Sequence, residues 1–178
     1  MKIYILLSHT GTLLSRIIRF YTKKEYSHVS IALDRNLRRL YSFGRLHPRI
    51  AFIGGFVQED PEYGTFKLFK NTYSSLYELE VSEEQYYKIE SIIDDVEANA
   101  KEYKFNLLGL AMVPIKKKRQ KEKYYYCAEF VKEAMESAGI DVSNLPDIIK
   151  PEDFKKVNGV KKIYTGLLRD YRKQSVTI

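Results

Sequence analysis

A single cysteine, Cys127, stands in a chain of 178 residues. The chain can therefore form no intramolecular disulfide and no cysteine-based zinc cluster, so its fold must be held by packing alone. Material for that packing is present: 44% of the residues are hydrophobic and 13% aromatic, with 15 tyrosines and 9 phenylalanines. This suits one compact domain over residues 1–178 and argues against wholesale disorder. A lone thiol, and an N-terminus without the cleavage pattern of a secretory signal, predict a reducing, cytoplasmic compartment. The apolar stretch Phe105 to Ile115 is broken by Asn106 and Pro114 and falls short of the roughly 20 residues that cross a bilayer.

Hydrophobic periodicity predicts a mixed order of strands and helices. Ile3 to Leu7 reads as a buried first strand. Gly11 to Thr22 carries Leu13, Leu14, Ile17, Ile18 and Tyr21 at helical spacing. Val29, Ile31 and Leu33 then alternate with Ser30, Ala32 and Asp34, which predicts a half-buried strand with His28 on its more polar face. Further strands are expected at Arg39 to Phe43, Ala51 to Val57, Thr65 to Phe69 and Tyr77 to Val81. Ser82-Glu83-Glu84-Gln85 is a capping box, and the apolar period that follows predicts a helix from Ser82 to about Tyr103. A second helix starts near Cys127, with Phe130, Val131, Ala134, Met135 and Ala138 on one stripe and Gly139 as its stop. Pro151-Glu152-Asp153-Phe154 reads as a short helical start. The expected class is α+β, an antiparallel sheet packed against helices.

The net charge of +7 favours an anionic partner without naming it. Six of the eight residues from Lys116 to Lys123 are basic. This run follows an apolar stretch, so Lys116, Lys117, Lys118 and Arg119 are candidates for contact with an anionic membrane surface. Nucleic acid is not favoured, because the arginines from Arg35 to Arg49 come with no RNA-recognition, zinc-finger or helix-turn-helix signature. Three scattered histidines and one cysteine predict no metal site, and Gly54-Gly55 suggests a bulge or a close approach rather than a phosphate loop, so no cofactor is expected.

A thiol in the first turn of a helix feels the positive end of the helix dipole, which favours thiolate. A histidine donated by a neighbouring strand would complete a Cys–His pair, taking the thiol proton and later giving it to a leaving group. His28 is the histidine within a clear strand pattern, whereas His9 and His47 fall in loops or at strand ends. Tyr26-Ser27-His28-Val29-Ser30-Ile31-Ala32-Leu33, followed about a hundred residues later by Tyr125-Tyr126-Cys127-Ala128-Glu129-Phe130-Val131, resembles the NlpC-type cysteine hydrolases of the papain-like fold. The order His before Cys is similar to their circularly permuted, YiiX-like branch. Tyr103-Lys104-Phe105 is similar to an aromatic motif of that branch.

The resemblance implies a circularly permuted papain-like domain with Cys127 as nucleophile and His28 as general base. It implies an amide or acyl-ester substrate, from a peptide or a lipid, while the basic run after the apolar stretch is what suggests a peripheral place at a membrane. Tyr103 and Tyr126 would line the substrate cleft. The family's third polar residue falls here on Ser42, whose hydroxyl can hold an imidazole N–H but brings no negative charge. Asp34 lies roughly 20 Å further along the strand from His28, and Glu129, about 200° around the helix from Cys127, should point away from the thiol. The chain thus has two readings, a cysteine hydrolase or acyltransferase, and a catalytically weakened papain-like module that binds an anionic lipid or polymer.

Overall fold

Ile3-Tyr4-Ile5-Leu6-Leu7 is apolar at every position, so the strand it forms, β1 (Lys2–His9), needs cover on both faces. It receives that cover in the interior of a six-stranded sheet. In this computed structural model, which describes residues 1–11, 25–47, 50–106 and 122–175, the strand order is β4-β3-β2-β1-β5-β8 and each neighbouring pair is antiparallel. The remaining strands are β2 (His28–Ala32), β3 (Leu40–His47), β4 (Ile50–Glu59), β5 (Tyr73–Glu80) and β8 (Lys161–Leu167). The helices are α1 (Gly64–Leu68), α2 (Glu83–Ala98), α3 (Cys127–Ser137) and α4 (Leu168–Ser175), with a 3-10 helix at Pro151–Lys156. Two short strands, β6 (Lys104–Phe105) and β7 (Tyr124–Tyr125), pair in parallel outside the main sheet.

Alternation divides the sheet into two buried faces. Ile3, Ile5 and Leu7 of β1, Val29 and Ile31 of β2, and Phe43 of β3 face the main core, which α2 closes with Ile89, Ile93 and Val96 and α3 with Phe130, Val131 and Met135. Tyr4, Leu6, Ala32, Leu40 and Leu76 face a smaller core, covered by Phe66 of α1 and by Leu168 and Tyr171 of α4. At the centre of the larger core Phe43 meets Phe56, Tyr103, Tyr125 and Phe130, with ring centroids 5.2–6.4 Å apart. Tilted and edge-to-face contacts of this kind add to the gain from burial.

The helix ends follow from their caps. Ser82 Oγ accepts the Gln85 N–H at 3.1 Å while the Gln85 side chain accepts the Ser82 N–H at 3.0 Å, the reciprocal capping box expected from the sequence. Asn99 closes α2 instead of Tyr103, donating from its side chain to the Asp95 carbonyl. The chain must turn there so that Lys104–Phe105 can reach Tyr124–Tyr125. Gly139, at φ +73°, ends the segment that begins with α3, as expected.

Two differences have physical reasons. Thr65 to Phe69, expected as a strand, contributes instead to α1, where the β-forming residues lose to a turn opened by Gly64 at φ +57° and only Phe66 is buried. β8 and α4 carry no expectation from the sequence, since Lys-Lys-Ile-Tyr-Thr-Gly-Leu shows no clean alternation and lies half-buried on a sheet edge. Most of the helix expected over 11–22, and residues 107–121 with Lys116, Lys117, Lys118 and Arg119, lie outside the described residues. Among the described residues no helix is long and apolar enough to cross a membrane.

Gly54 bears out the close approach suggested by its sequence. A Cβ there would stand 2.6 Å from Phe105 Cγ and 2.9 Å from the Gly44 carbonyl oxygen, so β6 can rest on β4 only over a glycine. Gly54→Ala is expected to destabilise the protein by about 1–3 kcal/mol through overpacking. Urea unfolding measures this, and an unchanged midpoint would remove the packing argument.

Candidate active site

Cys127 is the first residue of α3, and the start of that helix is fixed by its neighbours. Tyr126 is extended, at φ −100° and ψ 170°. The Glu129 carboxylate turns back to accept the Tyr126 N–H and the Asn106 side-chain N–H, both at 3.1 Å. Asn106 is delivered by the β6–β7 pairing, in which its own N–H donates to the Tyr125 carbonyl at 2.8 Å. Glu129 is therefore a clamp on the helix terminus. The N–H groups of Cys127 and Ala128 stand in the first turn, where an α-helix has no internal acceptor for them.

His28 opens β2. From Ala32, which pairs with Leu40, alternation puts Ser30 and His28 on the same face as Ser42 and Gly44 of β3. Glu59, the last residue of β4, pairs with Leu40 and shares that face. The side chains converge there. His28 Nε2 lies 2.9 Å from Glu59 Oε1 and 3.3 Å from Ser42 Oγ, and Ser30 Oγ donates to Glu59 Oε2 at 2.5 Å. Cys127 lies close enough to the imidazole to interact with it, by charge and side-chain polarity, and so helps to set its pKa. Gly44 leaves room for the assembly, because a Cβ there would lie 3.2–3.4 Å from Ser42 Oγ, Glu59 Oε1 and His28 Cε1.

The electrostatics follow from this geometry. Burial alone would lower the His28 pKa, but the Glu59 charge and the hydrogen bonds to Cys127 and Glu59 outweigh it and raise it to about 10. Burial would likewise raise Glu59. The His28 charge, with hydrogen bonds from His28, Ser30 and Ser42, holds it below its ordinary value instead. The pair therefore stands as imidazolium and carboxylate at neutral pH.

Ser42 lies beside the imidazole, as the sequence suggests, but the closer and charged partner is Glu59. The strand expected over Ala51 to Val57 stops two residues short of it. Glu59 could have been drawn in by continuing the alternation through Val57, but its face depends on a hairpin register that shifts between Arg45 and His47. A one-residue slip reverses such a face. The tyrosines are placed differently from expectation. The Tyr126 side chain is buried and its hydroxyl donates to the Ile149 carbonyl at 3.0 Å, making it a core anchor rather than a substrate contact. The Tyr103 hydroxyl donates to Asp95 at 3.3 Å, and the ring lines a groove of about 350 Å³ between α2 and α3 whose walls do not include Cys127 or His28. Its abundance-driven packing role wins, because Phe43 and Tyr125 already occupy its ring faces and edge. His9 Nδ1 accepts the Gly11 N–H, and His47 is exposed at the end of β3. Among the described residues no group of three His, Cys, Asp or Glu side chains could hold a metal ion.

No family model matches the chain, and no curated protein does.

The ion pair makes a pH prediction. A raised imidazole contributes stability that is complete below its unfolded value of 6.5 and is lost as pH rises toward about 10. A lowered carboxyl contributes stability that is complete above 4.5 and is lost in acid. Relative to a His28→Ala, Glu59→Gln double variant, the native protein should therefore hold its greatest stability advantage between pH 4.5 and 6.5 and lose it progressively toward pH 10. Urea unfolding at a series of pH values checks the sign. An advantage that grows above pH 7 would contradict the pairing.

Proposed function

We propose that this protein is a cysteine hydrolase or acyltransferase, a circularly permuted, papain-like relative of the NlpC type, acting on an amide or acyl ester. The observation that carries the reading is His28, held through Nε2 by Glu59, with Cys127, the first residue of a helix, near enough to act on the imidazole. The His-before-Cys order and the antiparallel sheet accord with it. Glu59 also supplies the negative charge that a Ser42-only triad would lack, which favours the enzyme over an inactive binding module.

In this reading the thiolate of Cys127 attacks the carbonyl carbon and forms a thiohemiacetal-like tetrahedral adduct. The negative oxygen that results is met by first-turn N–H groups of α3. His28, protonated and oriented by Glu59, gives a ring proton to the departing amine or alcohol as the carbon–heteroatom bond breaks. A thioester on Cys127 remains. Water or another acceptor, losing its proton to His28, attacks the thioester and restores the thiolate. Glu59 does not leave the ring during this cycle. It fixes the tautomer and stabilises the imidazolium, while Ser42 bridges the two groups.

The test is the pH dependence of Cys127 alkylation by iodoacetamide. At pH 6 a thiol without a cationic neighbour is almost wholly protonated and inert, so reaction of native Cys127 at that pH, cut about tenfold or more by His28→Ala, is the expected result. Glu59→Gln should lower the imidazole titration seen by NMR far more than Ser42→Ala does, because a charged hydrogen bond is about twice as strong as a neutral one. Cys127→Ser should abolish turnover of an activated acyl ester with little change in melting temperature. An inert thiol in every variant, or a large loss of stability in Cys127→Ser, would make Cys127 a core residue and end the hydrolase reading.

A further inference from the structure

The large apolar side chains that remain in solvent are gathered rather than scattered. Of the seven among the described residues, Leu46, Ile50, Ile53, Tyr63 and Leu68 fall in the β3–β4 hairpin and in or beside α1. Leu46 is 52% exposed, Ile53 50% and Tyr63 63%. Leu46 lies over β4, where a Cβ on Gly55 would stand 3.2 Å from its Cδ1. Single exposed hydrophobics are normal on any protein, whereas contiguous ones mark a surface that meets something.

This surface continues into the candidate active site. Leu46 and Tyr63 share the wall of a cavity of about 210 Å³ with Arg45, Val57, Phe66 and Glu59, the carboxylate that holds His28. Its charge is also informative. Lys67 and Lys70 are exposed, and Lys67 Nζ lies 5.4 Å from the Tyr63 ring centre. The acidic side chains in this stretch besides Glu59, Asp60 and Glu62, sit on the turn before α1, and the whole chain carries +7. Aliphatic residues with lysines around them and a tyrosine at the rim fit a lipid boundary. Protein–protein interfaces instead concentrate several aromatics and exclude lysine.

We propose that the β3–β4 hairpin and α1 form the surface by which this protein docks on an anionic bilayer, with Leu46, Ile53 and Tyr63 at the acyl boundary and Lys67 at the headgroups. The docked protein would draw an acyl lipid as its substrate, and that second part rests on the hydrolase reading.

The chain has no tryptophan, so Ile53→Trp places one fluorophore in the patch. Tyr87→Trp places a control on the exposed side of α2. Both are titrated with vesicles of phosphatidylglycerol and of phosphatidylcholine, after circular dichroism has shown that each variant melts like the parent. The expected result is a blue shift of about 10 nm for Ile53→Trp on anionic vesicles alone, abolished by salt, with no shift for Tyr87→Trp. Leu46→Ser with Ile53→Ser should cut vesicle co-sedimentation about tenfold or more.

Co-sedimentation without the Ile53→Trp shift would mean that another surface binds and would overturn the proposal. So would the absence of co-sedimentation, or a dimer in light scattering that the two serines dissolve. Vesicle docking with an inert Cys127 would leave this surface standing while the hydrolase reading fell. A reactive Cys127 without vesicle binding would do the reverse.

Discussion

A carboxylate held against an imidazole on the face of the sheet dictates much of what surrounds it. Taking Glu59 out of bulk water is costly unless every lone pair finds a donor. Ser30, Ser42 and His28 supply those donors from two neighbouring strands. Gly44 supplies the space. Each of these residues would be an ordinary strand position without the charge. With it, they form a set in which loss of one member leaves the others buried and unsatisfied. A largely buried ion pair of this kind is a poor source of net stability but an effective means of fixing one ring orientation.

Cys127 is positioned by a separate mechanism. The helix that carries it packs on the opposite core through Phe130, Val131 and Met135. Its first turn is held by Asn106, Glu129 and Tyr126, and Tyr126 is anchored in turn to Ile149. The two halves of the site thus belong to two different buried networks. They meet at the His28 end of β2, where Glu59 and Cys127 both act on the imidazole. Cys127 is only 6% exposed, so access to it is set by the rim rather than by the pair itself.

Residues with strong local signals were legible from the sequence alone. The capping box at Ser82, the stripe of α3 with its glycine stop, and the alternation through Val29 and Ile31 are short-range patterns, and the structure has all three. The side of β2 on which His28 sits followed from the same period of two, whereas Ser42 beside it came from the family resemblance alone. Glu59 did not, because its place depends on how β4 is registered on β3 across a bulged hairpin, a property of two strands and a turn together. The tyrosines were harder to place for a different reason: of the fifteen in the chain, many of those described are packed in the core, and the hydroxyls of Tyr103 and Tyr126 donate to Asp95 and Ile149. Residues 64–68 show that a single buried Phe66 can be served by a helical turn as well as by a strand.

The parallel pairing of Lys104–Phe105 with Tyr124–Tyr125 brings together two points well separated along the chain, immediately before the helix that bears the thiol. It acts as a splice. Asn106, the residue after β6, reaches Glu129 directly from that pairing. The first turn of the helix is therefore registered by a contact between residues 23 apart in the sequence, so the place of Cys127 is a property of the pairing and not of its chain neighbours alone.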